Sequence, residues 1–378
     1  MDKSMTNHSN HHTSSISGFL RQEWMLLASY GTTAAFLIKA NDWLGTNPGL
    51  GFGWVLFLWL FTVMLAASFA VVRHADHLAE ALREPLGTII LTLAVTSIEV
   101  MMISALMLNG NNPALARDTM FSVVMVVLGG LLGIALLTGG LKFGEQNFNL
   151  KGVNSFLGLI LPLSVLSMVL PNFTRTGGDG MFSTLHSVSL IILSLVIYAI
   201  FLAVQTIRHR EFFNESGAPV VESAEHFSRK SVLSESVLLV LHLIPVVILS
   251  KQLASLLDYR IHKGGLPLEL VGLVVAILIL APEGLAAIRA AANNQMQRSV
   301  NILLGSVLAT IGLTVPAALT IGLVLGKPVL LGLSPSYMTL LAVTLGSCFI
   351  TFGQGQTNIL QGFVQLLLFA AYVVLMFD

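Results

Sequence analysis

LTLAVTSIEVMMIS (91–104) and ILILAPEGLAAI (277–288) each carry a single glutamate, Glu99 and Glu283, and no other charged residue. Each lies inside a longer apolar stretch, 86–108 and 266–287, close to the ~20 residues that cross about 30 Å of hydrocarbon. Gly and Pro within such stretches would argue against helix in water. Inside a bilayer, neighbouring helices and polar side chains re-satisfy the backbone groups that they free.

Working outward, nine further stretches qualify as spans: 24–40, 50–72, 119–141, 152–170, 183–206, 231–250, 300–325, 336–352 and 357–377. The short alternating segments of an outer-membrane barrel are absent. The expected fold is therefore an all-α polytopic membrane protein of about 11 transmembrane helices. Composition agrees. The 378 residues are 55% hydrophobic and 10% charged, against about 25% charge in a soluble domain. This excludes a soluble two-domain enzyme. Nineteen basic and 19 acidic residues cancel, so no basic surface points to nucleic acid. A lone cysteine, Cys348, excludes an internal disulfide framework and a Cys-based zinc site.

The chain divides at its polar segments. Residues 1–23 form a polar tail containing His8, His11 and His12, read as a leader, with a small metal-binding tail as the alternative. Residues 24–49 hold an extra helix, too long for the apolar region of a signal peptide. Residues 50–206 hold five helices, 207–230 form a linker rich in Arg, Glu and Ser, and 231–378 hold five more. Five is odd, so equivalent helices of the two halves enter the membrane from opposite sides, the inverted-repeat arrangement of secondary transporters. Twelve of the 19 Lys and Arg residues fall in loops on the N-terminal side, and seven, such as Arg117, Arg175 and Lys327, on the other. This bias places the N-terminus and the linker in the cytoplasm and the C-terminus outside.

Glu99 and Glu283 each occupy the second helix of a half. Pro85 precedes the first and Pro267 the second, about 20–24 Å of helix from the entry end. Each helix leads into a short loop with an arginine, Arg117 or Arg298, and then a helix bearing Gly, Ser and Thr. An ionised carboxylate in hydrocarbon costs at least ~2.5–3.5 kcal/mol, and neither run contains a cation to pair with it. Such a group takes up a proton or binds a metal cation, and a site that does either but not both at once is the core of proton/cation antiport. Two glutamates neutralise one divalent ion or hold two protons in its place. Oxygen ligands without thiols suit a hard cation such as Ca²⁺, Na⁺ or K⁺. Thr96 and Ser97 beside Glu99, Ser122 in the fourth span, and Asn301, Ser306 and Thr310 in the ninth are candidate co-ligands. Pro282 removes a backbone donor next to Glu283. For each glutamate the alternative is a protonated carboxyl hydrogen-bonded between helices as packing glue.

At these residues the chain resembles the calcium/cation antiporter superfamily, and within it the bacterial ChaA-type calcium/proton antiporters, which also exchange sodium or potassium for protons. The segments that carry the resemblance are GTIILTLAVTSIEV (87–100), RDTMFSVVMVVLGGLLGIALLTGG (117–140), APEGLAAIRAAANNQMQRSVNILLGSVLATIGLTVP (281–316) and TNILQGFVQLLLFAAY (357–372). The resemblance implies two inverted five-helix repeats plus a leading helix, with Glu99 and Glu283 as the ion- and proton-binding residues. There is one departure. Many members carry Gly-Asn shortly before each glutamate, where this chain has Val95-Thr96 and Ile279-Leu280.

The expected function is exchange of Ca²⁺, or of Na⁺ or K⁺, for H⁺ across the plasma (inner) membrane of a bacterium. Partners are then inorganic cations, protons and the bilayer, with no cofactor. No GxxxxGKS/T loop supplies ATP binding, and no GxSxG or HExxH motif supports the rival reading of an intramembrane enzyme. Sodium/calcium exchange without protons and a passive channel are the other rivals.

Further polar residues interrupt or flank the apolar stretches. His74, Asp76, His77 and Glu80 in HADHLAE (74–80) read as a solvated turn, with a cation vestibule or a zinc site as alternatives. His242 reads as packing or a proton relay, Glu235 as interfacial or part of an entry path, and Gln354, Gln356 and Asn358 as a polar loop or a cavity lining. Arg117 and Arg298 read as headgroup-binding or helix-capping residues, with a gating role as the alternative.

Overall fold

The computed structural model describes residues 23–45, 50–82, 86–109, 113–175, 177–178, 180–208, 210–213, 229–264 and 267–377. The histidines of the N-terminal tail, Pro85 and most of the 207–230 linker lie outside the described residues.

Helices follow the apolar stretches in chain order. They are α1 (Trp24–Gly45), α2 (Leu50–Leu82), α3 (Leu86–Asn109), α4 (Leu115–Met125), α5 (Leu132–Phe143), α6 (Leu150–Ser164) and α7 (Thr184–Ala203). After the linker come α8 (Arg229–Gly264), α9 (Glu269–Ala292), α10 (Met296–Ala309), α11 (Val315–Leu325), α12 (Pro335–Thr351) and α13 (Ile359–Leu375). A π segment, Val126–Leu131, joins α4 to α5, and another, Thr310–Thr314, joins α10 to α11. Seven of the rods are long and apolar enough to cross a membrane. Among the described residues the remaining structure is short. Strands β1 (Gln146–Asn147) and β2 (Gln356–Thr357) pair antiparallel, tying the loop after α5 to the loop before α13.

Two helices outrun the stretches that announced them. α2 continues from 72 through HADHLAE to Leu82, and α8 from 250 to Gly264. Charged residues end a hydrophobic run without ending a helix. That takes a residue such as Pro85, or Gly264 followed by Gly265. HADHLAE is thus helical, and His74 is buried rather than solvated as expected.

The apolar side chains form two clusters. The smaller joins Phe36 of α1, a stripe on α2 (Leu56, Leu60, Met64, Val71) and a stripe on α8 (Leu243, Val246, Leu253, Leu256). The larger is built on α4 to α7 and α10 to α13. α3 and α9 contribute to both: Ile98 and Met102 to the smaller, Ile103 and Met107 to the larger; Val275 and Leu278 to the smaller, Ala276 and Leu280 to the larger. The two glutamate-bearing helices therefore lie where the two packing units meet.

Close approach is bought with glycine. A Cβ on Gly272 would stand 2.8 Å from the Asp118 backbone, and one on Gly284 would stand 2.6 Å from the Leu131 side chain. α9 thus packs on α4 and its π continuation at a separation that only small residues allow. The face opposite the interior is apolar too: Leu185, Ile192, Leu193 and Ile200 of α7 are exposed, as a surface bathed in lipid requires.

Candidate ion-binding site

A cavity of about 550 Å³ opens between the two packing units. Thr92, Val95, Thr96 and Glu99 line it from α3 at helical spacings of three and four, so one face of that helix forms a wall. Glu283 and Ala286 face it from α9. Along the next rod, Arg298, Asn301, Gly305, Ser306 and Ala309 repeat the same periodicity. The cavity runs from the glutamates to Gln205, Thr206 and Phe213, beside the linker.

The carboxyls are incompletely partnered. Thr310, the first residue of a π segment, donates its hydroxyl hydrogen to Glu99 Oε2 at 3.0 Å. Glu99 Oε1 and Glu283 Oε2 are buried atoms with no hydrogen-bond partner among the described residues. Ser306 stands beside the Glu283 carboxyl. Buried oxygens in native proteins are nearly always satisfied. Two orphans on residues that line one cavity mark a place that a proton or a cation can fill.

The structure brings together Glu99, Glu283, Thr96, Asn301 and Ser306 on this cavity. It does not bring Ser97 or Ser122 there. Ser97 falls off the cavity-facing stripe of α3 and bonds back to the Leu93 carbonyl at 2.6 Å. Ser122 is buried against Tyr372 and the Asp118 carbonyl. Asn301 is engaged at 2.6 Å with the Phe213 carbonyl, so its amide also braces the cavity mouth. The two matched arginines part company. Arg298 lines the cavity, whereas Arg117 binds Asp118 at 2.7 Å and the Gly332 carbonyl at 2.9 Å.

Asp76 of HADHLAE reaches the cavity, in keeping with the vestibule alternative, while His74 and His77 turn to Glu235 and His242 does not line the cavity. Gln354, Gln356 and Asn358 stay away from it: Gln356 is in β2, and Asn358 caps α13 in a reciprocal pair with Gln361. Tyr198, Gln205 and Thr206 were not foreseen. Their signal was present, since Ser194, Tyr198 and Gln205 recur at helical spacing through a stretch that is apolar from 190 to 204 apart from the first two.

Two incompletely partnered carboxyls at the junction of two helical bodies are the kind of groups a membrane ion exchanger needs. Comparison with known proteins agrees. The family described as "Sodium/calcium exchanger protein" matches residues 52–207 and 220–377, and the chain belongs to that family, one of transporters rather than enzymes. Over 319 residues the chain is 40% identical to the sodium-potassium/proton antiporter ChaA of Escherichia coli (strain K12), covering 83% of this chain and 86% of that one. Among solved structures, native YfkE superposes with a TM-score of 0.72 at 18% identity, covering 93% of this chain and 99% of its own. The H⁺/Ca²⁺ exchanger CAX superposes at 0.68 with 15% identity, covering 94% and 89%. These likenesses establish the fold.

Proposed function

We propose that this protein exchanges a hard cation for protons across a bacterial inner membrane, with Glu99 and Glu283 alternating between protonated and cation-bound states. The observation that carries this reading is the pair of orphaned carboxyl oxygens, Glu99 Oε1 and Glu283 Oε2, on one cavity between two packing units. Eleven spans are the architecture that suits it: a leading helix and two inverted five-helix repeats. Support comes from the family match, which falls twice on the chain in the proportions of the two halves. Two of the four π segments among the described residues support it as well, because Val126–Leu131 and Thr310–Thr314 fall in the third helical rod of each half. The others are Val165–Val169 and Val204–Arg208, both in the first half. The linker and the N-terminus would face the cytoplasm, with the cavity open to that side.

Two carboxylates with the hydroxyls of Thr96 and Ser306 on the same cavity balance Ca²⁺, and the 40% identical relative named for sodium, potassium and protons favours Na⁺ and K⁺ as further cargo. Thr96 supplies a hydroxyl three residues before Glu99, while the equivalent Leu280 is buried in the core and supplies none. Ser306 takes that place on the Glu283 side. The shell is thus unequal in the two halves.

Everted vesicles carrying a preformed pH gradient test the reading. Addition of Ca²⁺, Na⁺ or K⁺ should dissipate the gradient, and Glu99→Gln or Glu283→Gln should abolish the response. Cation flux without proton movement in the unmodified protein would make sodium/calcium exchange the better reading. Flux surviving both substitutions would reduce the glutamates to packing groups.

A further inference from the structure

Away from the cavity, three rods meet at a second cluster of ionisable groups. Glu23 immediately precedes α1, His74 lies on α2 and His242 on α8, and their exposures are 4%, 2% and 0%. Glu23 Oε2 is 3.0 Å from His242 Nε2 and 3.4 Å from His74 Nε2. The imidazole rings stack with centroids 5.3 Å apart. One donor atom from each residue falls within 4.8 Å of the others. None of the three lines the cavity.

The neighbours decide where the lone pairs point. His74 Nδ1 is 2.7 Å from Glu235 Oε2. A carboxylate only accepts, so that nitrogen carries the hydrogen and Nε2 of the neutral ring carries a lone pair. That lone pair meets Arg73 Nη2 at 3.2 Å, and the same Nη2 lies 2.9 and 3.0 Å from the two Glu23 oxygens. A guanidinium nitrogen therefore already sits where these acceptors converge. Its side chain is 42% exposed and can withdraw to solvent. His242 Nε2, 3.0 Å from Glu23 Oε2, carries the hydrogen in this arrangement, while its Nδ1 has no partner among the described residues, so a metal on Nε2 requires the proton to move to Nδ1.

We propose that Glu23, His74 and His242 bind a divalent transition-metal ion of the Zn²⁺ type, displacing the Arg73 guanidinium. Two imidazole nitrogens and a carboxylate form a zinc donor set, softer than the oxygen lining around Glu99 and Glu283, so the two sites select different ions. Glu235 occupies the outer position that a carboxylate takes behind a ligating histidine, fixing its tautomer and orientation. His242 binds through Nε2 with its proton on Nδ1. The ion would staple the leading helix to α2 and α8, the three helices of the smaller packing unit outside the glutamate-bearing pair, and so act on the stiffness of that unit rather than as cargo.

The test uses the full chain with His8, His11 and His12 changed to Ser, purified without a histidine tag and stripped by chelator. Zn²⁺ alone, Ca²⁺ alone and Co²⁺ alone are then titrated, reading bound metal per chain, thermal midpoint and the Co²⁺ visible spectrum. One Zn²⁺ per chain is expected, with a raised midpoint and an intense Co²⁺ band. Glu283→Gln retains this binding, and Glu23→Gln and His242→Gln lose it. Glu235→Gln weakens it by about 10–100-fold. Arg73→Gln, which needs no ligand removed and guards against a misfolded His242 variant, binds Zn²⁺ more tightly. The proposal falls if the stripped chain takes up no Zn²⁺, if Glu23→Gln and His242→Gln bind it as the parent does, if Glu283→Gln loses it, or if Arg73→Gln binds it less tightly.

Discussion

The Thr310 hydroxyl donates to Glu99 Oε2 at 3.0 Å. Hydrogen bonds to charged groups contribute about 1.5–3 kcal/mol net, and this one favours whichever state keeps Oε2 as an acceptor. Thr310→Val keeps the shape and removes the donor. It should lower apparent cation affinity roughly tenfold or more while leaving expression and thermal midpoint near the parent, and Thr310→Ser should restore affinity. Equal dose–response curves for Thr310→Val and parent in the vesicle assay would show that the bond is incidental. Residues of this kind were legible in part. A glutamate in an apolar run announces itself through its cost, and Thr96, Asn301 and Ser306 announced themselves by depth. Ser97 and Ser122 have the same chemistry and similar depth, and only helical phase and helix–helix packing separate them from the cavity. Phase can be counted from Glu99, since Ser97 lies two residues away on another face. The burial of Ser122 against Tyr372 joins positions 250 apart, and no local pattern reveals it.

At the scale of helices, the sequence marked where apolar runs begin and stop, and the rods follow them. The overruns of α2 and α8 were missed because hydropathy measures transfer to lipid, whereas a helix ends only where its backbone can no longer continue. The π segments also escaped, since an extra residue in a turn is a response to packing. One consequence of that packing is testable at glycine. Gly272→Ala would drive a Cβ to 2.8 Å from the Asp118 backbone, which must shift, at a typical overpacking cost of about 1–3 kcal/mol. Gly158 of α6 has nothing within 4 Å of its would-be Cβ, so Gly158→Ala should be neutral or stabilise by up to about 1 kcal/mol through helix propensity. Thermal melts of the two variants in detergent should therefore move in opposite directions or leave Gly158→Ala unmoved. A larger loss for Gly158→Ala than for Gly272→Ala would contradict the close approach of α9 to α4.

The whole molecule is asymmetric about Glu99 and Glu283, as the proposed alternating access would require. On the linker side the cavity reaches Gln205, Thr206 and Phe213. At the far end of α3, Lys327 binds the Met107 carbonyl at 2.8 Å, Leu330 donates to Pro113 at 3.0 Å, and Arg117 is held between Asp118 and Gly332. In the proposed exchange those contacts would close the other route, and a change of sides would mean breaking them while the smaller packing unit moves against the larger. A ligand shifts such a balance only by binding one arrangement better than the other. The Arg117–Asp118 pair is the deepest charge pair of the latch, with side chains 14% and 4% exposed. Removing one partner of such a buried pair typically costs 3–5 kcal/mol, and here the cost falls on the arrangement in which the far side is closed. In a Cys348→Ser background, Gln205→Cys should react readily with a membrane-impermeant thiol reagent supplied from the linker side. Adding Asp118→Asn should slow that reaction by about tenfold or more, because the population leaves the linker-open arrangement. An unchanged rate, with the variant still folded, would mean that the pair braces α4 in both arrangements and that the latch lies in the Lys327 and Leu330 contacts.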